Sequence, residues 1–161
     1  MKMRAAVLLE MERPKPYAQS KPVEVVEVDL EPPGPGEVLV EMKAAGVCHS
    51  DLSIVNGSRP RPTPMVLGHE ASGIVAEVGA GVTAFKAGDP VVFVFVPSCG
   101  NSKPCTTGRP TLCEPGAAAN GAGTLLSGER RLAWKGEKMN HQVGVSCFAE
   151  YAVVSERSLV K

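Results

Sequence analysis

Glycine and proline leave this chain little room for a long element. They number 17 and 14 among 161 residues and are spread along the whole length. Proline fixes φ and offers no amide donor, and glycine loosens the backbone, so each tends to end or bend the element it falls in. A bundle of long helices is thereby ruled out, and short strands joined by many turns are expected. Residues 4–9, 23–30, 38–47, 71–78, 91–96 and 147–154 read as strands, with a short helix over 48–56 that ends at Gly57. Pro60, Pro62 and Pro64 make the next connection stiff and extended. Residues 97–127 read as a long irregular excursion holding three cysteines, and such loops inside compact domains are usually functional or flexible. The sum is one mainly β domain, most simply a partly open barrel.

Lys plus Arg is 17 and Asp plus Glu is 17, so the formal net charge is zero. That balance leaves no electrostatic footprint for nucleic acid or an anionic membrane. No apolar run approaches the roughly 20 residues of a membrane helix. The basic-then-apolar start is short and is followed by Glu10, which argues against a signal peptide and for a cytoplasmic protein. Five cysteines, an odd number, favour reduced thiols, metal ligands or catalytic thiols over a disulfide framework.

Two clusters carry the chemistry. The first is Gly46-Val47-Cys48-His49-Ser50-Asp51 together with Gly68-His69-Glu70. Thiolate, imidazole and carboxylate are the usual donors to zinc, and these come from the ends of two expected strands. Spacing by itself leaves a blander reading open, in which a lone cysteine is a buried small hydrophobe and a lone histidine a structural residue. The surrounding residues go further. Gly68-His69-Glu70-Ala71-Ser72-Gly73, five residues, Gly79, two residues and Val82 form a zinc alcohol dehydrogenase signature, and Gly-Val-Cys-His-Ser-Asp fits the first-ligand segment. Lys86-Ala87-Gly88-Asp89-Pro90-Val91 and the cysteine loop fit as well. On these motifs the chain resembles the zinc-containing medium-chain alcohol dehydrogenases over nearly all its length.

The resemblance implies a GroES-like catalytic domain over 1–161, with a cysteine-containing lobe at 97–127. It implies Cys48 and His69 as ligands of a catalytic zinc, with Glu70 beside the metal as an alternative ligand. Asp51 would fix the His69 tautomer. Ser50 would relay the proton of the bound alcohol toward solvent, and His49 would meet the coenzyme pyrophosphate. Zinc lowers the pKa of bound water from about 15.7 to about 7. An alcohol held there acidifies in the same sense and, as alkoxide, expels hydride. Structural readings stand beside these, Ser50 as a helix cap and Asp51 as a first-turn carboxylate. Relatives often carry a histidine where Ser53 stands, so the outer end of the proton path departs from the pattern and water can serve there.

The second cluster is Cys99, Cys105 and Cys113. In the family this lobe has a fourth cysteine and holds a structural zinc; here Ser102 takes that place. A neutral hydroxyl is a poor zinc donor, and structural sites are normally closed by four strong ones. Three readings follow: zinc held weakly with water or Ser102 as fourth donor, a metal-free lobe held by packing, or oxidation of two of its thiols. Cys147 reads as core and His141 as a solvated loop residue. Gly116, Gly121 and Gly123 follow no strand and are assigned no dinucleotide role.

No Gly-x-Gly-x-x-Gly fingerprint opening a βαβ unit occurs, so no Rossmann domain is expected in this chain. The resemblance implies an N-terminal catalytic domain, inactive alone, whose NAD or NADP is bound by a domain not present here. The full enzyme would interconvert small alcohols and aldehydes as a homodimer or homotetramer. Two alternatives compete: a zinc-free quinone oxidoreductase relative, and a non-catalytic GroES-like binding module. The Cys48 and His69-Glu70 pair would be idle in both.

Overall fold

The computed structural model describes residues 1–95 and 97–161. Its strands are β1 (Lys2–Leu8), β2 (Val23–Leu30), β3 (Glu37–Gly46), β4 (Met65–Val66), β5 (Glu70–Val78), β6 (Pro90–Phe93), β7 (Leu132–Trp134), β8 (Glu137–Lys138), β9 (Asn140–His141), β10 (Tyr151–Ser155) and β11 (Leu159–Val160). Helices are few and short: α1 (Tyr17–Ser20), α2 (His49–Val55), α3 (Lys103–Thr106) and α4 (Glu114–Ala122), with single 3-10 turns at Pro110–Leu112 and Glu156–Ser158. One sheet runs β8-β7-β2-β1-β4-β9 and the other β10-β3-β5-β6-β11. Among the described residues only β4 and β9 pair in parallel. The mainly β, partly open barrel expected from the resemblance is the fold the chain adopts.

Side-chain alternation explains how the two sheets share a wall. Successive residues of a strand face opposite sides. On β3, Leu39 therefore joins a core with Met3, Val7, Leu30 and Met139, while Val38 and Val40 join a second core with Val75 and Val91. β10 repeats the pattern antiparallel to β3: Val153, opposite Leu39, belongs to the first core, and Ala152 and Val154 to the second. Strands buried on both faces read as continuous apolar runs, which is what Val38-Leu39-Val40 and Ala152-Val153-Val154 are. A third core of Leu8, Ile54, Val55, Met65 and Leu67 fixes α2 against β1 and β4.

Several expectations need correction. Residues 147–150 are not strand; they cross between the sheets. Phe148 O accepts from Ala6 N and Glu150 N donates to Arg4 O on β1, while Glu150 O accepts from Met42 N on β3. The 97–127 excursion is not structureless. α4 starts with Pro115 in its first turn and closes on Gly123 at φ 68, the usual Pro-first, Gly-last arrangement. Of the 91–96 segment, Pro90–Phe93 is strand, and residue 96 lies outside the described residues. The hairpin β7–β8 turns on Lys135 and Gly136, both at positive φ as a two-residue hairpin turn requires. His141 is not solvated: it lies on β9 with 1% of its surface exposed.

Candidate metal centre

Cys48 and His69 are distant in the chain but are delivered to one place by a single ladder. β3 and β5 are antiparallel, and their last matched pair is Gly46 with Glu70. Cys48 lies two residues past that pair on one strand, and His69 one residue before it on the other. Gly68 sets the approach. Its φ is 96°, and a Cβ there would sit 2.6 Å from Phe148 N, so glycine alone fits. On the other arm Cys48 is the N-cap of α2. Asp51, in the first turn, accepts the Cys48 amide at Oδ2 over 3.0 Å, which ties the turn shut.

The same Asp51 holds His69. Its Oδ1 lies 3.0 Å from His69 Nδ1, with both residues buried. Gln142 Nε2 donates to that Oδ1 over 2.7 Å, and the Gln142 side-chain carbonyl accepts from Gly68 N. Burial opposes the charge on Asp51, but the hydrogen bonds from His69, the Cys48 amide and Gln142 outweigh it, and its carboxyl is held below the usual range. His69 is raised in turn, chiefly by its bond to Asp51. With Nδ1–H committed to a carboxylate, the neutral ring presents its lone pair at Nε2.

That lone pair and the Cys48 sulfur meet at one hydroxyl. Ser50 Oγ is 3.1 Å from His69 Nε2 and 3.2 Å from Cys48 Sγ. The Ser50 hydroxyl lowers the Cys48 thiol, and its backbone and His69 act in the same direction. Glu70 completes the cluster, with donor atoms of Cys48, His69 and Glu70 all within 4.8 Å of one another. The three are therefore brought to one place. His49 stands exposed at the first residue of α2, and Ser53 Oγ is turned onto the His49 carbonyl at 3.2 Å.

These groups open onto a cavity of about 440 Å³. Phe95 stands edge-on to the His69 ring, centroids 5.7 Å apart, and Ile54, Ala117 and Val143 add apolar wall. Arg59, Arg61 and Gln142 also line it. Nothing in the sequence marks Gln142 or Phe95, because neither is in a motif; the Arg-Pro-Arg-Pro run, by contrast, is visible in the sequence as a stiff pair of cations. Behind the site the buried Cys147 thiol donates to Glu70 O at 3.7 Å and is pushed up to about 12 by burial, which makes it an inert core thiol.

In the lobe Cys99, Cys105 and Cys113 also bring their sulfurs within 4.8 Å of one another, and all are free thiols. Backbone amides aim at them: Asn101 N and Ser102 N at Cys99, Cys99 N and Gly116 N at Cys113. Ser102 Oγ donates to Cys105 Sγ at 3.4 Å, which puts the hydroxyl beside the three sulfurs. The bonds from Asn101 and Ser102 draw the Cys99 thiol down to about 6.

Comparison with known proteins agrees with this geometry. Residues 34–161 match the family described as the alcohol dehydrogenase GroES-like domain. The chain is 47% identical over 161 residues to "Putative alcohol dehydrogenase D" of Mycobacterium tuberculosis, spanning 100% of this chain and 41% of that one. It is 41% identical over 162 residues to an S-(hydroxymethyl)glutathione dehydrogenase of Escherichia coli, spanning 42% of it. Among solved structures, the alcohol dehydrogenase zinc-binding domain protein of Burkholderia ambifaria superposes at TM-score 0.88 and 32% identity, covering 100% of this chain and 42% of that one. Benzyl alcohol dehydrogenase of Acinetobacter calcoaceticus superposes at 0.85 and 33%, covering 100% and 41%. The chain thus spans about two fifths of the relatives it matches, and it belongs to the alcohol dehydrogenase GroES-like domain family.

Proposed function

We propose that this chain is the metal-binding catalytic part of a zinc-dependent, NAD(P)-linked dehydrogenase that interconverts alcohols and aldehydes. The observation that carries the reading is the meeting of Cys48 Sγ and His69 Nε2 at the Ser50 hydroxyl, with His69 Nδ1 locked by Asp51. A thiolate, an imidazole lone pair and a carboxylate fit zinc by their chemistry. Cys48, His69 and Glu70 would hold the ion, which when bound supplies Lewis-acid polarisation of the substrate oxygen. Neither a quinone reductase without metal nor an inert module has a use for this donor set. The coenzyme would be bound by sequence outside this chain, consistent with the missing Gly-x-Gly-x-x-Gly fingerprint and with relatives of more than twice the length.

Each residue has a defined task. Asp51 keeps the proton on Nδ1 so that Nε2 stays available, and Gln142 keeps Asp51 in place. Ser50 Oγ takes the proton from the substrate hydroxyl and gives its own to solvent, since Ser53 is committed to the His49 carbonyl. The coenzyme, when bound, would supply the acceptor for the hydride of the alcohol carbon, and the part of this chain is to take the hydroxyl proton through Ser50. Exposed at the start of α2, His49 is free to meet the coenzyme pyrophosphate.

Two variants separate these tasks. In the complete enzyme, Ser50→Ala is expected to lower kcat by about 10²–10⁴-fold, the range for a proton-transfer group, with metal content unchanged. An unaltered rate removes Ser50 from the mechanism. Gln142→Leu is expected to weaken metal affinity by about 10–100-fold, the usual effect of losing a partner of a ligand. Unchanged affinity by competition with a chelator would show that Asp51 holds His69 unaided. If neither metal nor alcohol-dependent coenzyme reduction is found in the parent, the whole reading fails.

A further inference from the structure

Nearly every feature of the cavity is explained by the reaction except its two arginines. Arg59 and Arg61 both line it, and neither takes part in an ion pair among the described residues. Elsewhere Arg4, Arg13 and Arg131 pair with carboxylates, while Arg109, Arg130 and Arg157 are in no ion pair among the described residues, so what sets Arg59 and Arg61 apart is that they share the wall of this cavity. Among the described residues the one acid on the cavity wall is Glu70, which belongs to the donor cluster with Cys48 and His69. Exposed Arg59 and half-buried Arg61 thus give the cavity two cations that no carboxylate of the chain neutralises, a pairing that suits an anionic ligand.

Their backbone is held ready. After α2 the chain turns at Asn56 and Gly57, where Asn56 Oδ1 accepts from Ser58 N at 2.9 Å. Arg59 N then donates back to Ser53 O on the helix at 2.8 Å. Each arginine precedes a proline, Pro60 and Pro62, which confines it to extended backbone. Arg61 Nη1 donates to Pro60 O at 2.9 Å, one of its five N–H groups, and the rest are left for a ligand. A stiff mount reduces the entropy lost when a guanidinium is immobilised on its ligand.

From this arrangement we propose that the cavity selects an alcohol or aldehyde carrying an oxyanion group, carboxylate or phosphate monoester, at the end remote from the reacting carbon. The inference rests on the function proposed above and deepens it. The planar guanidinium fork matches both anions in a way that a lysine ammonium does not. Ile54, Phe95, Ala117 and Val143 on the same wall offer apolar surface to a hydrocarbon chain.

Matched probes test this in the complete enzyme carrying the chain. The substrates are hexanol, ω-hydroxybutanoate, ω-hydroxyhexanoate, ω-hydroxyoctanoate and ω-hydroxyhexyl phosphate. At least one anionic probe is expected to exceed hexanol in kcat/KM by about tenfold or more, the scale of one charge-assisted hydrogen bond. Which anion leads identifies the source, carboxylate or phosphate. In Arg59→Gln and Arg61→Gln that ratio is expected to fall at least tenfold, and added salt should compress it in the parent. Hexanol equal to or better than every anionic probe overturns the proposal while leaving the dehydrogenase reading intact. So does a rise confined to the coenzyme KM in the arginine variants, which would assign the cations to the coenzyme. If no alcohol is oxidised at all, the function above fails and calorimetry with hexanoate and hexyl phosphate decides the anion site by itself. Binding that is lost in the arginine variants supports it, and absence of binding overturns it.

Discussion

Cys48→Ala is expected to strip the catalytic cluster of metal and to bring dehydrogenase activity to background. Of the three converging donors, Cys48 is the strongest toward zinc, and the hydroxyl of Ser50 already biases it toward thiolate. Without it only the His69 imidazole and an exposed carboxylate, Glu70, remain. Losing a mere partner of a ligand costs about 10–100-fold in affinity, so losing a ligand should cost at least about 100-fold. Folding should survive. Cys48 is only half-buried, its backbone amide still reaches Asp51, and α2 is anchored through Ile54 and Val55 in a separate core. The measurement is metal per chain by atomic emission in parent and variant, which should differ by about one ion, because the lobe of Cys99, Cys105 and Cys113 is untouched. Equal metal content would mean that Cys48 and His69 do not share an ion.

Why some of this was legible in the sequence and some not follows from the range of the interactions. Val23–Leu30 stands out because β-branched residues and half-alternation are local properties, and β2 has those bounds. The Cys48 segment is legible in part because its geometry is local, a cap that closes on Asp51, whereas Gly68-His69-Glu70 is legible only through its resemblance to a family signature, since the glycine's close approach is to Phe148, far along the chain. Gln142 is the opposite case. It acts on Asp51 from 91 residues away, and nothing near it in the chain distinguishes it from a loop glutamine. Residues 147–150 read as strand because they are apolar and lead into a real one. Their backbone bonds are divided between β1 and β3, a choice made by tertiary packing alone. In the lobe, glycine and proline suggest disorder only until they are placed by position. Pro115 in the first turn and Gly123 past the last are the ends of a helix, not its absence.

His141 illustrates how far packing can overrule a local reading, and it carries the largest expected effect on stability. Charged neighbours suggest water, yet Arg131 is engaged by the buried Glu37 and Arg130 by Asn140, and the imidazole lies inside. Nε2 accepts from Arg131 N at 3.1 Å, and Nδ1 has no partner among the described residues. Burial, followed by the nearby charges of Arg130, Arg131 and Lys138, drives its pKa down to about 3. An unfolded histidine titrates near 6.5. Between those values the unfolded chain binds a proton that the folded chain refuses, so stability falls as pH falls through the window. Linkage puts the loss at about 2 kcal/mol from pH 7 to pH 5, and on the order of 4 kcal/mol by pH 3. One other group titrates in the upper part of this window: the Cys99 thiol, drawn down to about 6, contributes stability that is lost as pH falls through that value, so the effect of His141 is read as a difference between parent and variant. The lowered carboxyls of Asp51, Glu31, Asp89 and Glu150 act only below their ordinary range, near pH 4. His69, whose pKa is raised, contributes stability that is complete below about pH 6.5 and fades as pH rises, so it titrates above the window. Denaturant unfolding at pH 7 and pH 5 should show a loss about 2 kcal/mol smaller in His141→Gln, whose amide oxygen can still accept from Arg131 N, than in the parent. The imidazole signal of His141 in the parent, followed by NMR, should stay in its neutral position down to about pH 4. A ring that titrates near pH 6 in the folded protein would show that water or an anion reaches it, and the acid sensitivity would then need another source.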